Sequence, residues 1–260
     1  MTPLVQFGDV YLKHEDQNLT GSAKDRAIEL QIDNLISQGY KSAVISSTGN
    51  AAISAQYFCH LKKIPLTIFV SPNINPHKLL TIKNKNNSKI FKSNQPISDA
   101  FKFAKTNNAY LLRQSTDPIA LLGYQKISQE LIAQLPKITS IFIPVGSGTT
   151  LLGISQSLPQ SVKIFAVQPA SHCPIASYFD KNFQSENSTV TDALSVKLLP
   201  LKKRVIDACF SGVVIQNQNI IQQDIPTSPE GNLAYAGFLK VKNSQPVGDY
   251  PVILLTGAVR

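Results

Sequence analysis

Thr20-Gly21-Ser22-Ala23-Lys24-Asp25-Arg26 is the stretch whose reading decides the fold. An alternating apolar run, Val10-Tyr11-Leu12, leads towards it through Lys13-His14-Glu15-Asp16-Gln17-Asn18-Leu19. A helical pattern, Ala27-Ile28-Glu29-Leu30-Gln31-Ile32, leads out of it. The order predicts a strand, a small flexible loop and a helix with a lysine at its start. A lysine in that place lies beside unpaired backbone N–H groups and the positive end of the helix dipole, both of which disfavour its ammonium form. A neutral amine on a fixed element is what Schiff-base chemistry requires. Ser-x-Lys also fits a surface lysine behind an ordinary helix cap, so the rest of the chain must decide.

Outward from that stretch, short apolar runs alternate with amphipathic segments. Strands are predicted at 10–13, 42–46, 66–70, 90–92, 110–113, 141–144, 164–168, 213–215 and 252–255, and helices at 27–38, 51–62, 96–106, 119–134 and 230–240. Several of the strand runs are continuous and β-branched, as strands buried on both faces are. The alternation predicts an α/β fold with mainly parallel sheets, in which ligands gather at the carboxyl ends of the strands. The polar segment 171–191 reads as a long surface excursion.

Those strand ends carry the chemistry. After 42–46 comes Ser46-Ser47-Thr48-Gly49-Asn50 at a helix start, where hydroxyls and N–H groups suit a carboxylate or phosphate, although an ordinary serine/threonine cap would look the same. After 141–144 comes Gly146-Ser147-Gly148-Thr149-Thr150, two glycines and three hydroxyls opening a helix, a pattern that suits a terminal phosphate. It lacks the Gly-Lys-Ser/Thr ending of a Walker loop, and Leu151 stands where a dinucleotide loop has its third glycine. The last strand delivers Thr256-Gly257, and Ser228-Pro229-Glu230-Gly231-Asn232 reads as a helix start with its acid in the first turn.

The 260 residues include 25 basic and 16 acidic ones, for a net charge of +9. The excess is densest at Lys78, Lys83, Lys85, Lys89 and Lys92, where Phe91 is the single aromatic. That favours a solvated basic face over a base-stacking nucleic-acid surface. No apolar run approaches the roughly 20 residues that span a bilayer, and no secretory signal is visible at the start. Cys59, Cys173 and Cys209, odd in number and without CxxC, read as buried thiols of a reducing cytoplasm. His14, His60, His77 and His172 show no metal-ligand spacing with them, so no metal is expected.

Taken together, these motifs resemble the fold type II family of pyridoxal-phosphate enzymes, which includes threonine synthase, threonine/serine dehydratase, cysteine synthase and the tryptophan synthase β subunit. Four segments match in order: the lysine motif at 20–26, the asparagine loop at 46–50, the phosphate loop at 146–150 and the pyridine contact at Leu255-Thr256-Gly257. The segments 189–196 and 230–236 also resemble family segments. The resemblance implies two open, twisted, mainly parallel-sheet domains with the cofactor in the cleft between them. Residues 1–40 and 114–260 would form the larger domain and 41–113 a smaller, mobile one. It implies that Lys24 holds pyridoxal 5′-phosphate and moves the substrate α-proton. Asn50 would meet the 3′ oxygen, and Gly146, Ser147, Gly148, Thr149 and Thr150 would cradle the phosphate. Thr256 would face the pyridine nitrogen, and Ser47, Thr48 and Gly49 would hold the substrate carboxylate. A small amino-acid substrate, a homodimer and a cytoplasmic location follow from the same resemblance, with no nucleic-acid or membrane partner.

Within the family, Lys24-Asp25-Arg26 and Ser46-Ser47-Thr48-Gly49-Asn50 look most like threonine synthase. Ala23 and Ala27 depart from it, standing where a phenylalanine and a glycine are usual. The first expectation is a threonine synthase-like lyase acting on O-phosphohomoserine. The alternative is a serine/threonine dehydratase, and a third possibility is a non-catalytic pyridoxal-phosphate protein. The resemblance leads us to expect a catalytic core alone, without an N-terminal extension or a dehydratase-type regulatory domain.

Overall fold

A computed structural model of the chain describes residues 1–74, 76–83, 88–194, 196, 198–223, 225 and 227–258. It divides into two compact units, Met1–Ala23 with Tyr124–Arg260, and Lys24–Gly123.

The first unit is built on a six-stranded sheet. Its strands are β1 (Leu4–Phe7), β2 (Val10–His14), β7 (Ser140–Pro144), β8 (Lys163–Pro169), β9 (Ser211–Ile215) and β10 (Pro251–Leu255), in the order β1-β2-β10-β7-β8-β9. All neighbours are parallel except β1 with β2. The continuous apolar runs Ser-Ile-Phe-Ile-Pro and Pro-Val-Ile-Leu-Leu become β7 and β10, wholly buried and central, as strands covered on both faces must be. One face packs on α9 (Pro229–Lys242), with Leu12, Phe142, Phe165, Leu255, Leu233 and Phe238 in a single core. The other side of β2 carries Lys13, fully buried. Its ammonium donates to Thr2 O at 2.9 Å, Glu130 Oε2 at 2.7 Å and Gln134 Oε1 at 3.0 Å, so every proton has an acceptor and the desolvation cost is offset. Glu130 and Gln134 stand on α5 (Pro118–Gln134).

The second unit has a four-stranded parallel sheet, β5-β4-β3-β6: β3 (Ala43–Ser46), β4 (Leu66–Val70), β5 (Ser88–Lys92) and β6 (Tyr110–Leu111). Helices α1 (Lys24–Ser37) and α2 (Asn50–Leu61) pack together, burying Ile28, Ile32 and Leu35 with Ala52, Phe58 and Cys59. That packing explains why the units divide at 23/24 and 123/124 and not at the expected 40/41 and 113/114. The apolar face of α1 is buried in the core of the four-stranded sheet, and the first turns of α5 go with it.

Three further readings change. β1 is an antiparallel edge strand that the periodicity did not reveal, since three of its four residues are exposed. The helix α3 (Pro76–Lys83) was not foreseen either. The segment 171–191 is not simply a surface excursion, for Ile175 and Ala176 are fully buried and their N–H groups donate to Gln168 Oε1 at 2.9 and 2.8 Å. Cys59 and Cys173 are buried, whereas Cys209 is partly exposed; none of the three is in a disulfide. Of the basic run, Lys89 and Lys92 are exposed on β5, and Lys85 lies outside the described residues, as does Ser195 of the 189–196 segment. Among the described residues no helix is long and apolar enough to cross a membrane, and no cluster of three or more His, Cys, Asp or Glu could hold a metal ion.

Candidate active site

In the first unit, three of the sequence motifs converge at the carboxyl ends of adjacent strands. Ile253 pairs with Phe142 in the β10–β7 ladder, so the loops that follow β10 and β7 leave the sheet side by side. The loop before Lys24 is tied to the one after β10. Ala23 N–H donates to Thr256 O at 3.0 Å, Ala258 N–H donates to Gly21 O at 2.9 Å, and Ser22 bridges to Gly257. Gly21 takes φ +77°, a conformation that costs glycine nothing, and Ser22 and Ala23 are buried. Lys24 is the next residue and opens α1.

The phosphate-loop candidate lies between β7 and α6 (Thr149–Ser155). Gly148 has φ +81°, and a methyl group there would lie 3.1 Å from Val205 Cγ1 and closer still to Cγ2. Val205 is the buried residue of α7 (Lys202–Ala208). A methyl group at Gly146 would approach Val196 Cγ2 at 3.3 Å and Leu194 Cα at 3.4 Å. The loop is therefore backed on one side: a side chain at Gly148 would be strained and would displace Val205, whereas at Gly146 the neighbours would have to give by only a few tenths of an ångström. Ser147 Oγ and Thr149 Oγ1 lie 3.0 Å apart, and Thr150 follows at the open helix end, partly exposed.

In the second unit, Lys24 opens α1 and Asn50 opens α2, the two helices that pack together. Ser47, Thr48, Gly49 and Asn50 are all partly exposed. Gly49 N–H donates to Ser47 Oγ at 3.3 Å, and Gly49 O accepts from Ala52 N–H at 2.9 Å, while no side chain caps α2.

One group of polar residues was missed. Thr227 and Ser228, 7% and 4% exposed, lead into α9, Ser228 at its N-cap position, and their hydroxyls have no hydrogen-bond partner among the described residues; the same holds for Asn232 Oδ1 in its first turn. A methyl group on Gly231 would lie 3.0 Å from Leu255 Cδ2, which sets this polar group beside the end of β10. The signal was present in Ser228-Pro229-Glu230-Gly231-Asn232, but it reads from sequence only as a helix start. On β2, His14 Nδ1 lies 3.1 Å from Asp16 Oδ1, and His14 pairs with Leu255 across the ladder. Burial pushes the Asp16 carboxyl above its ordinary value, against the pull of His14.

The model of the pyridoxal-phosphate dependent enzymes matches residues 1–257. The chain belongs to that family. L-threonine ammonia-lyase of Thermotoga maritima is 29% identical over 172 residues, 63% of this chain and 43% of that protein. The catabolic L-threonine dehydratase TdcB of Staphylococcus aureus (strain bovine RF122 / ET3-1) is 27% identical over 201 residues, 74% of this chain and 58% of that protein. The chain thus spans about half the length of the curated relatives it matches. In fold it is similar to maize serine racemase (TM-score 0.86, 20% identity, 99% of this chain and 88% of the other). It is similar also to the processed form of threonine deaminase isoform 2 from Solanum lycopersicum (TM-score 0.83, 20% identity, 100% and 79%). Both α/β architecture and cofactor class agree with the sequence reading.

The residues present fit pyridoxal phosphate. A loop carrying hydroxyls and packed from behind at its glycines opens α6, and buried hydroxyls with no partner among the described residues stand beside the strand that leads into Thr256. A lysine follows the loop that is stitched to that strand end.

Proposed function

We propose that this chain is the catalytic core of a serine/threonine ammonia-lyase, which removes the β-hydroxyl of a short hydroxy amino acid and yields a 2-keto acid and ammonia. When bound, pyridoxal phosphate supplies an electron sink that acidifies the substrate α-hydrogen. In this reading Lys24 Nζ holds the cofactor and then moves the α-proton. The hydroxyls and N–H groups of Gly146, Ser147, Gly148, Thr149 and Thr150 hold the phosphate. Asn50 meets the 3′ oxygen, and Ser47, Thr48 and the Gly49 N–H hold the substrate carboxylate. Thr256 faces the pyridine nitrogen.

The observation that carries the reading is the bond from Ala23 N–H to Thr256 O, which joins the lysine loop to a strand end bearing a hydroxyl. A hydroxyl partner leaves the ring nitrogen largely unprotonated, whereas a carboxylate would hold a proton on it. A weaker sink favours reactions that pass charge to a leaving group, such as β-elimination. Both curated relatives described above are named for ammonia loss or dehydration of threonine. That supports the alternative over the threonine synthase reading first expected from Lys24-Asp25-Arg26. The homodimer and cytoplasmic location belong to the same proposal.

The test is a pair of substrate assays with purified protein loaded with cofactor. Keto-acid formation from serine or threonine is expected, lost in Lys24→Ala together with the visible cofactor band. Phosphate release from O-phosphohomoserine without keto acid would overturn the assignment in favour of threonine synthase. An intact cofactor band with no spectral response to any amino acid would leave a non-catalytic cofactor protein.

A further inference from the structure

The first turn of α1 has a second support, which lies within the four-stranded unit. Gly123 of α5 sits directly against it. A methyl group at 123 would lie 2.8 Å from Ala27 Cα and from the Arg26 carbonyl carbon, and nearer still to the Arg26 carbonyl oxygen. The obstacles are backbone atoms, so no side chain can rotate away, and carbon atoms pack comfortably only at about 3.5–4.0 Å. Accommodating one methyl group therefore requires the turn itself to move by roughly 1 Å.

A second tie between the same two helices acts further along. Gln31 Nε2 donates to Asp117 Oδ2 at 2.6 Å, Tyr110 Oη donates to the same oxygen at 2.6 Å, and Asp117 Oδ1 caps α5 by accepting from Ile119 N–H at 3.0 Å. Gln31 is seven residues after Lys24, two helical turns away on the same face. Asp117 therefore holds the body of α1, while Gly123 sets where its first turn lies. A change at Gly123 displaces the turn that carries Lys24; a change at Asp117 loosens the helix two turns downstream.

We infer that Gly123 is a positioning residue for Lys24: its missing side chain lets α5 brace the Arg26–Ala27 backbone and so sets where the Lys24 amine can meet the cofactor aldehyde. This rests on the reading of Lys24 as the cofactor lysine. Reacting groups tolerate little misplacement, with about 1 Å costing on the order of 100-fold.

The experiment compares wild type, Gly123→Ala and Asp117→Asn as purified full chains titrated with pyridoxal phosphate. Four readouts are taken: the visible band, the dissociation constant, the fraction of Lys24 modified after borohydride reduction (mapped by mass spectrometry), and the melting temperature without cofactor. Gly123→Ala is expected to bind the cofactor at least about tenfold more weakly and to show a lower modified fraction of Lys24 at saturation. Asp117→Asn is expected to lower the melting temperature and leave the modified fraction unchanged. Adding Ala27→Gly to Gly123→Ala is expected to rescue neither quantity, because the Arg26 carbonyl would still be in the way. Wild-type affinity and Lys24 modification in Gly123→Ala would overturn the positioning role alone. Cofactor on no lysine, or on another lysine, in wild type would overturn the proposed function and this role with it. A further measurement needs no variant. The Ile28 amide, whose helical acceptor is Lys24 O, is expected to exchange slowly in the cofactor-free wild type, and fast exchange there overturns the inference even if Gly123→Ala does not fold.

Discussion

Ser47-Thr48-Gly49 and Gly146-Ser147-Gly148 each join a buried parallel strand to a helix with small polar residues, yet only the second is packed from behind. Gly148 takes φ +81° against Val205, and Gly146 lies against Leu194 and Val196. Gly49 takes φ −124° at the N-cap position of α2, and a methyl group there would meet nothing within 4 Å among the described residues. The same sequence chemistry has thus been built in two ways. The 146–150 loop is braced before any ligand arrives, which suits a cofactor that stays. The 47–50 loop has room at Gly49, which would suit the substrate role proposed for it, because unfilled space lets a turn adjust without straining its neighbours.

The contrast can be broken most directly at Gly148. Gly148→Ala puts a side chain into the left-handed region, at about 1–2 kcal/mol, and overpacks Val205, at about 1–3 kcal/mol. Denaturant unfolding should therefore show a loss of a few kcal/mol, with weaker cofactor binding. Combining it with Val205→Ala should recover the overpacking part but not the backbone part. The two changes should couple by about 0.5–3 kcal/mol in a double-mutant cycle, and strict additivity would show that Val205 does not brace the loop. Gly49→Ala should cost no more than about 1 kcal/mol, since alanine is a poorer N-cap than glycine but no described atom is displaced. Its expected effect is a higher KM for the amino acid at unchanged cofactor affinity. A loss of stability as large as that of Gly148→Ala would erase the distinction between the loops.

The smallest effect lies outside both loops, at His14, the last residue of β2, and Asp16 in the turn that follows. Burial raises the Asp16 carboxyl above its ordinary value of 3.8, so the folded chain holds that proton more tightly than the unfolded one. The stabilisation is present below the ordinary value and is lost as pH rises through the raised one. Melting curves should show wild type losing stability relative to Asp16→Asn as pH climbs from the ordinary value through the raised one, and parallel curves across that window would contradict it.

Much of this was legible in the residues. The nine predicted strand runs appear as strands, the central ones because continuous β-branched segments pack on both faces, and their bounds differ by a residue or two. β1 was not legible, because an edge strand with exposed side chains carries no burial pattern. The inward turn at Ile175 and Ala176 was hidden in polar sequence, since its anchor is the Gln168 side chain on a neighbouring strand. The unpaired hydroxyls of Thr227 and Ser228 look from sequence like ordinary caps. Whether a cap is used depends on the side chain's final direction, which no local pattern encodes.

Read alone, the order of residues determined the strand–helix alternation, the parallel sheets and the four motifs that identify the cofactor family, because each depends on local spacing or on residue type. It also placed a lysine at a helix start. Only the tertiary structure decided that the lysine loop is stitched to Thr256 and that α1 is braced by Gly123. Those contacts join backbone segments far apart in the chain, and backbone approach leaves no mark on sequence beyond a glycine that could have served many other purposes.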